Sequence, residues 1–155
     1  MKHSVIGMDI AKDIFQLHSA DESSGKVQRH RLCRDRVMDF FAQHRPCVVA
    51  MEACGGAHWW ARQLRSLGHE PKLIAPRSVR PFVLRNKTDA ADARAIWTAV
   101  QQPEARLVAI KSESQQAILC AASHARTIDD VSHHAKQWLA RHPVRIRREI
   151  GRAHV

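Results

Sequence analysis

The sequence predicts an α/β fold, a mixed five-stranded sheet flanked by helices. Two observations carry that expectation. The chain opens with three strand-like stretches joined by short turns. After them, helical and strand patterns alternate to the end of the legible region. Hydrophobic residues make up 45% of the 155, enough to bury a core of ordinary domain size.

The elements follow in order. "SVIGMDI", Ser4 to Ile10, is an apolar run ending in a charge, as a buried strand would be. "IFQLHSA", Ile14 to Ala20, alternates apolar and polar residues and reads as a second strand. "DESSGK" is a turn, and "VQRHRL", Val27 to Leu32, alternates again, completing an antiparallel meander. "RDRVMDFFAQH", Arg34 to His44, gathers Val37, Met38, Phe40 and Phe41 on one helical face. "CVVAME", Cys47 to Glu52, is a short buried strand that runs straight into "ACGG".

The helix "AHWWARQLRSLG", Ala57 to Gly68, turns Trp60, Leu64 and Leu67 inward and stops at Gly68. "PKLIAP", Pro71 to Pro76, is the fifth strand. "RSVRPFVLRNK", Arg77 to Lys87, reads as an irregular basic connector. Thr88 is the expected N-cap of a helix running to about Gln102, where Pro103 ends it. "RLVAI" suggests a short extended piece, and another helix begins at Ser114. The order β-β-β-α-β-α-β-α matches the ribonuclease H-like fold.

The chain carries 25 Lys and Arg against 15 Asp and Glu, a net charge of +10, which favours a polyanionic partner such as a nucleic-acid backbone. Cys33, Cys47, Cys54 and Cys120 have neither CxxC nor zinc-finger spacing. They read as reduced, mostly buried small hydrophobes of an intracellular protein. The eleven histidines are scattered. Asp9 arrives too early for a signal peptide, and no stretch reaches the length of a membrane span, so a cytoplasmic protein without membrane contact is expected.

"RNKTDAADARAIW", Arg85 to Trp97, holds the residues hardest to explain by helix formation. Asp89 and Asp92 lie three apart on one face, where like charges repel. On the expected scaffold Asp9 ends the first strand, Glu52 ends the fourth, and Asp89 and Asp92 open the helix after the fifth. The ends of central strands are where open α/β sheets bind ligands. Four carboxylates in one cleft would raise each other's pKa unless cations held them, and Mg²⁺ takes oxygen ligands and is completed by substrate phosphates. A pair of such ions suits phosphodiester exchange. Singly, each acid has a plainer explanation: first-turn acids complement the helix dipole, Asp9 could cap a strand, and Glu52 could pair with any cation.

"GMDIAKD" (Gly7 to Asp13), "MEACGGAHWWARQLRSLGHEPKLIAP" (Met51 to Pro76) and "NKTDAADARAIW" (Asn86 to Trp97) resemble the N-terminal, RuvC-like domain of bacterial insertion-sequence transposases with a DEDD site. The resemblance covers about Ser4 to Leu119. It implies a ribonuclease H-like fold, dependence on Mg²⁺ (Mn²⁺ substituting), and DNA recombination. Asp9, Glu52, Asp89 and Asp92 take the catalytic and metal-ligating positions, with Ala53-Cys54-Gly55 matching the family's sequence after its glutamate. Beside them Lys12, Arg77, Arg80, Arg85, Lys87 and Arg94 are expected to hold backbone phosphates. Trp60 is expected in the core, and Trp59 is either exposed by chance or a base-stacking residue. DNA is the expected partner, with a structured guide RNA and self-association as further expectations.

Relatives of this type also carry a serine-bearing C-terminal domain, so this chain alone is not expected to complete strand exchange. From Cys120 to Val155 the family pattern gives way to a basic tail with seven Lys and Arg against three Asp and Glu. Codons compatible with Asp129 to Ile150, read one base later, can spell a stretch that ends in Leu-Arg-Gly-Ile-Leu-Tyr-Glu-Phe-Gly, which looks like the family's continuation. A frameshifted or poorly ordered tail is therefore expected, and the gene's nucleotide sequence decides it. A nucleic-acid-binding module without catalysis and a junction-resolvase-like nuclease are the alternative functions.

Overall fold

In the computed structural model of the protein, residues 4–21, 25–83, 89–119 and 121–122 are described, Asp89 and Ala90 in their backbone only. Contacts divide the chain into two units, Met1–Glu113 and Ser114–Val155. The first is built on one sheet.

Its first three strands, β1 (Val5–Asp9), β2 (Ile14–Ala20) and β3 (Val27–Cys33), form the expected meander, β2 pairing antiparallel with both neighbours. A 3-10 turn (Arg34–Arg36) leads into α1 (Val37–Gln43). The chain then returns as β4 (Val48–Glu52), parallel to β1 and beside it. Helix α2 (Ala57–Ser66) ends at Gly68, whose φ of 87° only glycine adopts without strain, and β5 (Glu70–Ile74) runs parallel to β4. The order across the sheet is β3-β2-β1-β4-β5-β6.

The sixth strand, β6 (Leu107–Val108), is one more than expected. The extended piece after Pro103 pairs antiparallel with the end of β5 through Leu73–Val108 and Ile74–Leu107. The connector after β5 is also more regular than its composition suggests. Pro76–Val79 is a short helix, α3, followed by a 3-10 turn at Arg80–Phe82. Pro76 opens α3 and Pro81 is the second residue of the turn after it, positions where the fixed φ of proline suits a helical start and costs no hydrogen bond. Helix α4 (Asp89–Val100) follows, and Thr88, its expected cap, lies outside the described residues.

Strand alternation sorts the interior into two layers. Ile6, Met8, Phe15, Leu17, Val49, Met51 and Leu73 face α1 and α2, where Val37, Phe41, Trp60 and Leu64 complete the larger core. The other face belongs to α4: Ala95, Ile96 and Ala99 pack with Ala50, Ile74 and Val79. Leu67 and Met38 are only partly buried at the margin. The cysteines are less buried than expected, for among the described three only Cys47 is inside, while Cys33 and Cys54 are exposed and free of disulfides. Both exposed ones sit at strand–helix junctions, which lie outside the packed layers.

Three buried histidines do work that no sequence pattern announces. His69 accepts the Cys47 backbone N–H at Nδ1 (3.3 Å) and donates from Nε2 to the Phe41 carbonyl (2.9 Å), joining α1, β4 and β5. His58, on α2, turns both ring nitrogens to Lys111, 3.3 Å from its backbone N and 3.1 Å from Nζ. Arg62 donates to the Lys111 carbonyl at 2.8 Å. Together these straps hold the segment after β6 on α2. His18, on β2, meets Trp97 edge-to-face at 5.4 Å beneath α4. In the second unit, residues 113–119 are helical, beginning one residue before the division, and the remainder of that unit beyond 122 lies outside the described residues.

Candidate active site

Gly7 explains how α4 can lie so close to the sheet. A Cβ there would collide with the Ala93 carbonyl oxygen and stand 2.6 Å from the Trp97 nitrogen and 2.7 Å from its Cβ. The strand is bare at this point, and the helix backbone occupies the space. Gly7 pairs with Ala50 of β4, which also faces α4.

Two residues further along each strand come Asp9 and Glu52. The β1–β4 register ends at Met8–Met51, so the next residues on the two strands are these acids, side by side at the C-terminal edges of the two central parallel strands. Alternation puts both side chains on the face that Gly7 and Ala50 share. Asp9 is half-buried and Glu52 exposed. The first and fourth strands are neighbours, and their register sets the two terminal acids on one face of the sheet.

Helix α4 supplies the rest of the candidate site. Asp89 and Asp92 both fall in its first turn, the end of the helix dipole that favours negative charge. Asp92 is half-buried and precedes Ala93, whose carbonyl lies against Gly7. The turn carrying Asp92 thus belongs to the part of α4 that packs on the strand leading to Asp9. The Asp89 side chain lies outside the described residues. Among those that are described, no three His, Cys, Asp or Glu side chains stand close enough to hold a metal ion. Asp9 and Glu52 are a pair, and Asp92 does not close it into a cage. As donors the carboxylates fit a hard divalent cation, one half-buried and the other open to water and phosphate.

The cations expected to hold phosphate divide by position. Lys12 is exposed in the β1–β2 turn, three residues beyond Asp9, and its carbonyl accepts from Arg34 at 3.4 Å. Arg77 and Arg80 are exposed on α3 and the turn after it. Since Glu52 pairs with Ile74 at the end of β5, both lie just beyond the sheet edge where the acids emerge. Arg94 is exposed on α4 and acts on His18, whose pKa falls below its ordinary value through burial first, then the charges of Arg29 and Arg94. Arg85 and Lys87 lie outside the described residues. Trp60 is buried against Phe15 at 4.9 Å, whereas Trp59 is 41% exposed. Gly55 and Gly56, after Glu52, would place a Cβ in open space, so packing does not require glycine at either position.

A mixed sheet of order 3-2-1-4-5-6, with carboxylates ending its first and fourth strands, marks an α/β protein compatible with ribonuclease H-like architecture. Comparison with known proteins is more specific. The chain is 52% identical over 118 residues to a probable family 20 transposase of Pseudomonas aeruginosa, covering 76% of this chain and 35% of that protein. It is 47% identical over 114 residues to a putative transposase, y4pF/y4sB, of Sinorhizobium fredii (74% and 30%). It is 43% identical over 115 residues to the transposase for insertion sequence element IS1328 of Yersinia enterocolitica (74% and 34%). No family model matches. About three-quarters of the chain is therefore homologous to proteins named as transposases, consistent with a transposase N-terminal domain, and the chain spans about a third of their length.

Proposed function

We propose that this chain is the metal-dependent, RuvC-like DEDD domain of an insertion-sequence transposase, binding DNA and contributing to phosphodiester strand transfer. Asp9, Glu52, Asp89 and Asp92 are the proposed catalytic and metal-holding acids. The observation that carries the reading is the β1–β4 register, which sets Asp9 beside Glu52 on the face covered by α4. Bound divalent ions would supply charge neutralisation for the attacking and leaving oxygens. The half-buried carboxylate of Asp9 anchors the site in the sheet, Glu52 borders it from β4, and α4 brings its two acids from the side. Lys12, Arg77 and Arg80 at the same edge, with Arg85, Lys87 and Arg94, would orient backbone phosphates. By the same family likeness a structured RNA and a second copy of the chain are further partners, and the cytoplasm is the compartment. Among the described residues no helix is long and apolar enough to cross a membrane.

Melting in the presence of Mg²⁺ or Mn²⁺ tests the assignment. A ligand at ~100 times its Kd stabilises by about 2.7 kcal/mol, a rise of roughly 5–10 °C for a chain of this size. Asp9→Asn combined with Asp89→Asn is expected to abolish the rise. A double variant that keeps the full metal response would leave a nucleic-acid-binding module without catalysis, and cleavage of branched but not linear DNA would point to a resolvase-like nuclease.

A further inference from the structure

The row of residues that contains Asp9 and Glu52 continues across the sheet in the other direction. Asp9 pairs with Gln16 on β2, and Gln16 pairs with Arg31 on β3. One step along, Gly7 pairs with His18, and His18 with Arg29. Because paired residues share a face, Arg29 and Arg31 stand on the α4 side, Arg31 level with Asp9 and Arg29 level with Gly7. The other side of β3 confirms the parity: His30 meets Phe40 of α1 at 5.1 Å, and Leu32 packs on the larger core.

β3 is the edge strand, so nothing in the sheet lies beyond it, and both arginines are exposed. They are roughly 7 Å apart along the strand, close to the spacing of successive phosphates on a nucleic-acid strand. Arg31 stands two strand spacings, roughly 10 Å, from Asp9. Arg94, exposed on α4, joins them, since its charge and that of Arg29 both act on His18. Among the described residues neither Arg29 nor Arg31 makes an ion pair, whereas Arg36 is paired with Asp39 at 3.6 Å.

From this placement we infer that Arg29 and Arg31 of β3, with Arg94 of α4, form a phosphate rail that carries the backbone of a DNA strand across the β3 edge toward Asp9 and Glu52. The inference rests on the function proposed above and adds the path of the substrate. Guanidinium groups grip phosphate oxygens through two donors at once, and contacts of this kind position the strand without reading its sequence. Charged side chains on an edge strand also discourage edge-to-edge pairing. That role alone predicts aggregation when the charges are removed and no change in DNA affinity of the remaining monomer.

The test is fluorescence anisotropy of a labelled DNA oligonucleotide with the full chain, in EDTA, over a range of salt. Arg29→Gln with Arg31→Gln is expected to weaken binding by about tenfold or more at moderate salt and to lower the slope of log affinity against log salt by about 2. Arg29→Lys with Arg31→Lys, which keeps the charge, should retain most of the affinity. Arg65→Gln, exposed on α2 across the sheet, should lose far less. If the double glutamine variant does not fold, Arg31→Gln alone is read for a slope change of about 1. Equal losses in the Arg65 and β3 variants, an unchanged slope, or a loss confined to an RNA of the same sequence would each overturn the rail. Because metal is absent, that result leaves the metal-dependent melting of wild type untouched. A wild-type chain that neither binds DNA nor responds to metal sinks the underlying function as well.

Discussion

Cys47 shows how burial decides the chemistry of a single side chain. It is closed inside the larger core at the start of β4, and burial pushes its thiol up to about 11, so it stays protonated at neutral pH. The thiolate is the nucleophile in alkylation, and access is also denied. Cys33 and Cys54 are exposed. Iodoacetamide applied to the native chain at pH 8 should therefore modify Cys33 and Cys54 at least tenfold faster than Cys47 in peptide maps, with the difference vanishing in denaturant. Equal native rates would contradict the placement of β4. Nothing in the spacing of the cysteines distinguished these environments. The histidines were equally opaque. His69 earns its place through partners 22 and 28 residues away, and contacts so distant leave no local signature.

At the scale of elements, the close approach of α4 to β1 is the feature most exposed to a small change. Gly7→Ala would drive a methyl into the backbone at Ala93 and Trp97, neither of which can swing aside as a side-chain tip could. Overpacking of this kind costs about 1–3 kcal/mol. If the proposed metal site holds, displacing α4, which carries Asp89 and Asp92, should also weaken the response to Mg²⁺, more than a loss of stability alone would. A Gly7→Ala protein melting within a degree or two of wild type, with the metal response intact, would show that α4 does not rest on Gly7. The strands were legible because each writes its burial pattern locally: Ile14–Ala20 alternates, and Val48–Glu52 is continuous. The sixth strand was only suggested, since two residues cannot establish a period and pairing with β5 fixes them. The turns after β5 were hidden for a related reason. Arg and Pro dominate their composition, and the proline positions, which favour helical starts, were outweighed by the lack of an apolar stripe. The acids were legible as a set only once strand order was assumed. That Asp9 stands beside Glu52 follows from the register, whereas the approach of α4 depends on glycine and alanine, which carry no charge to draw notice.

For the whole molecule, two buried histidines with depressed pKa values among the described residues set a pH dependence of folding from opposite sides of the sheet. His18 lies under α4, with burial the largest cause and Arg29 and Arg94 adding to it. His58 lies on α2, lowered by burial and then by Lys111 and Arg62. Both stay neutral in the folded chain below the 6.5 at which they would ordinarily take up a proton. The unfolded chain then binds more protons, so stability must fall as pH falls. The contribution is fully present above 6.5 and is lost progressively below it. Carboxylates titrate mainly under about pH 5, so melting temperatures between about pH 7.5 and 5.5 isolate the histidine effect. The melting temperature should drop across that window, and His18→Gln with His58→Gln should flatten the drop even if its baseline is lower, since losing the Lys111 contact weakens one strap. A double variant whose melting temperature falls as steeply as wild type would mean that neither imidazole is held neutral by the fold, and that the layers above and below the sheet are more open to water than their packing requires.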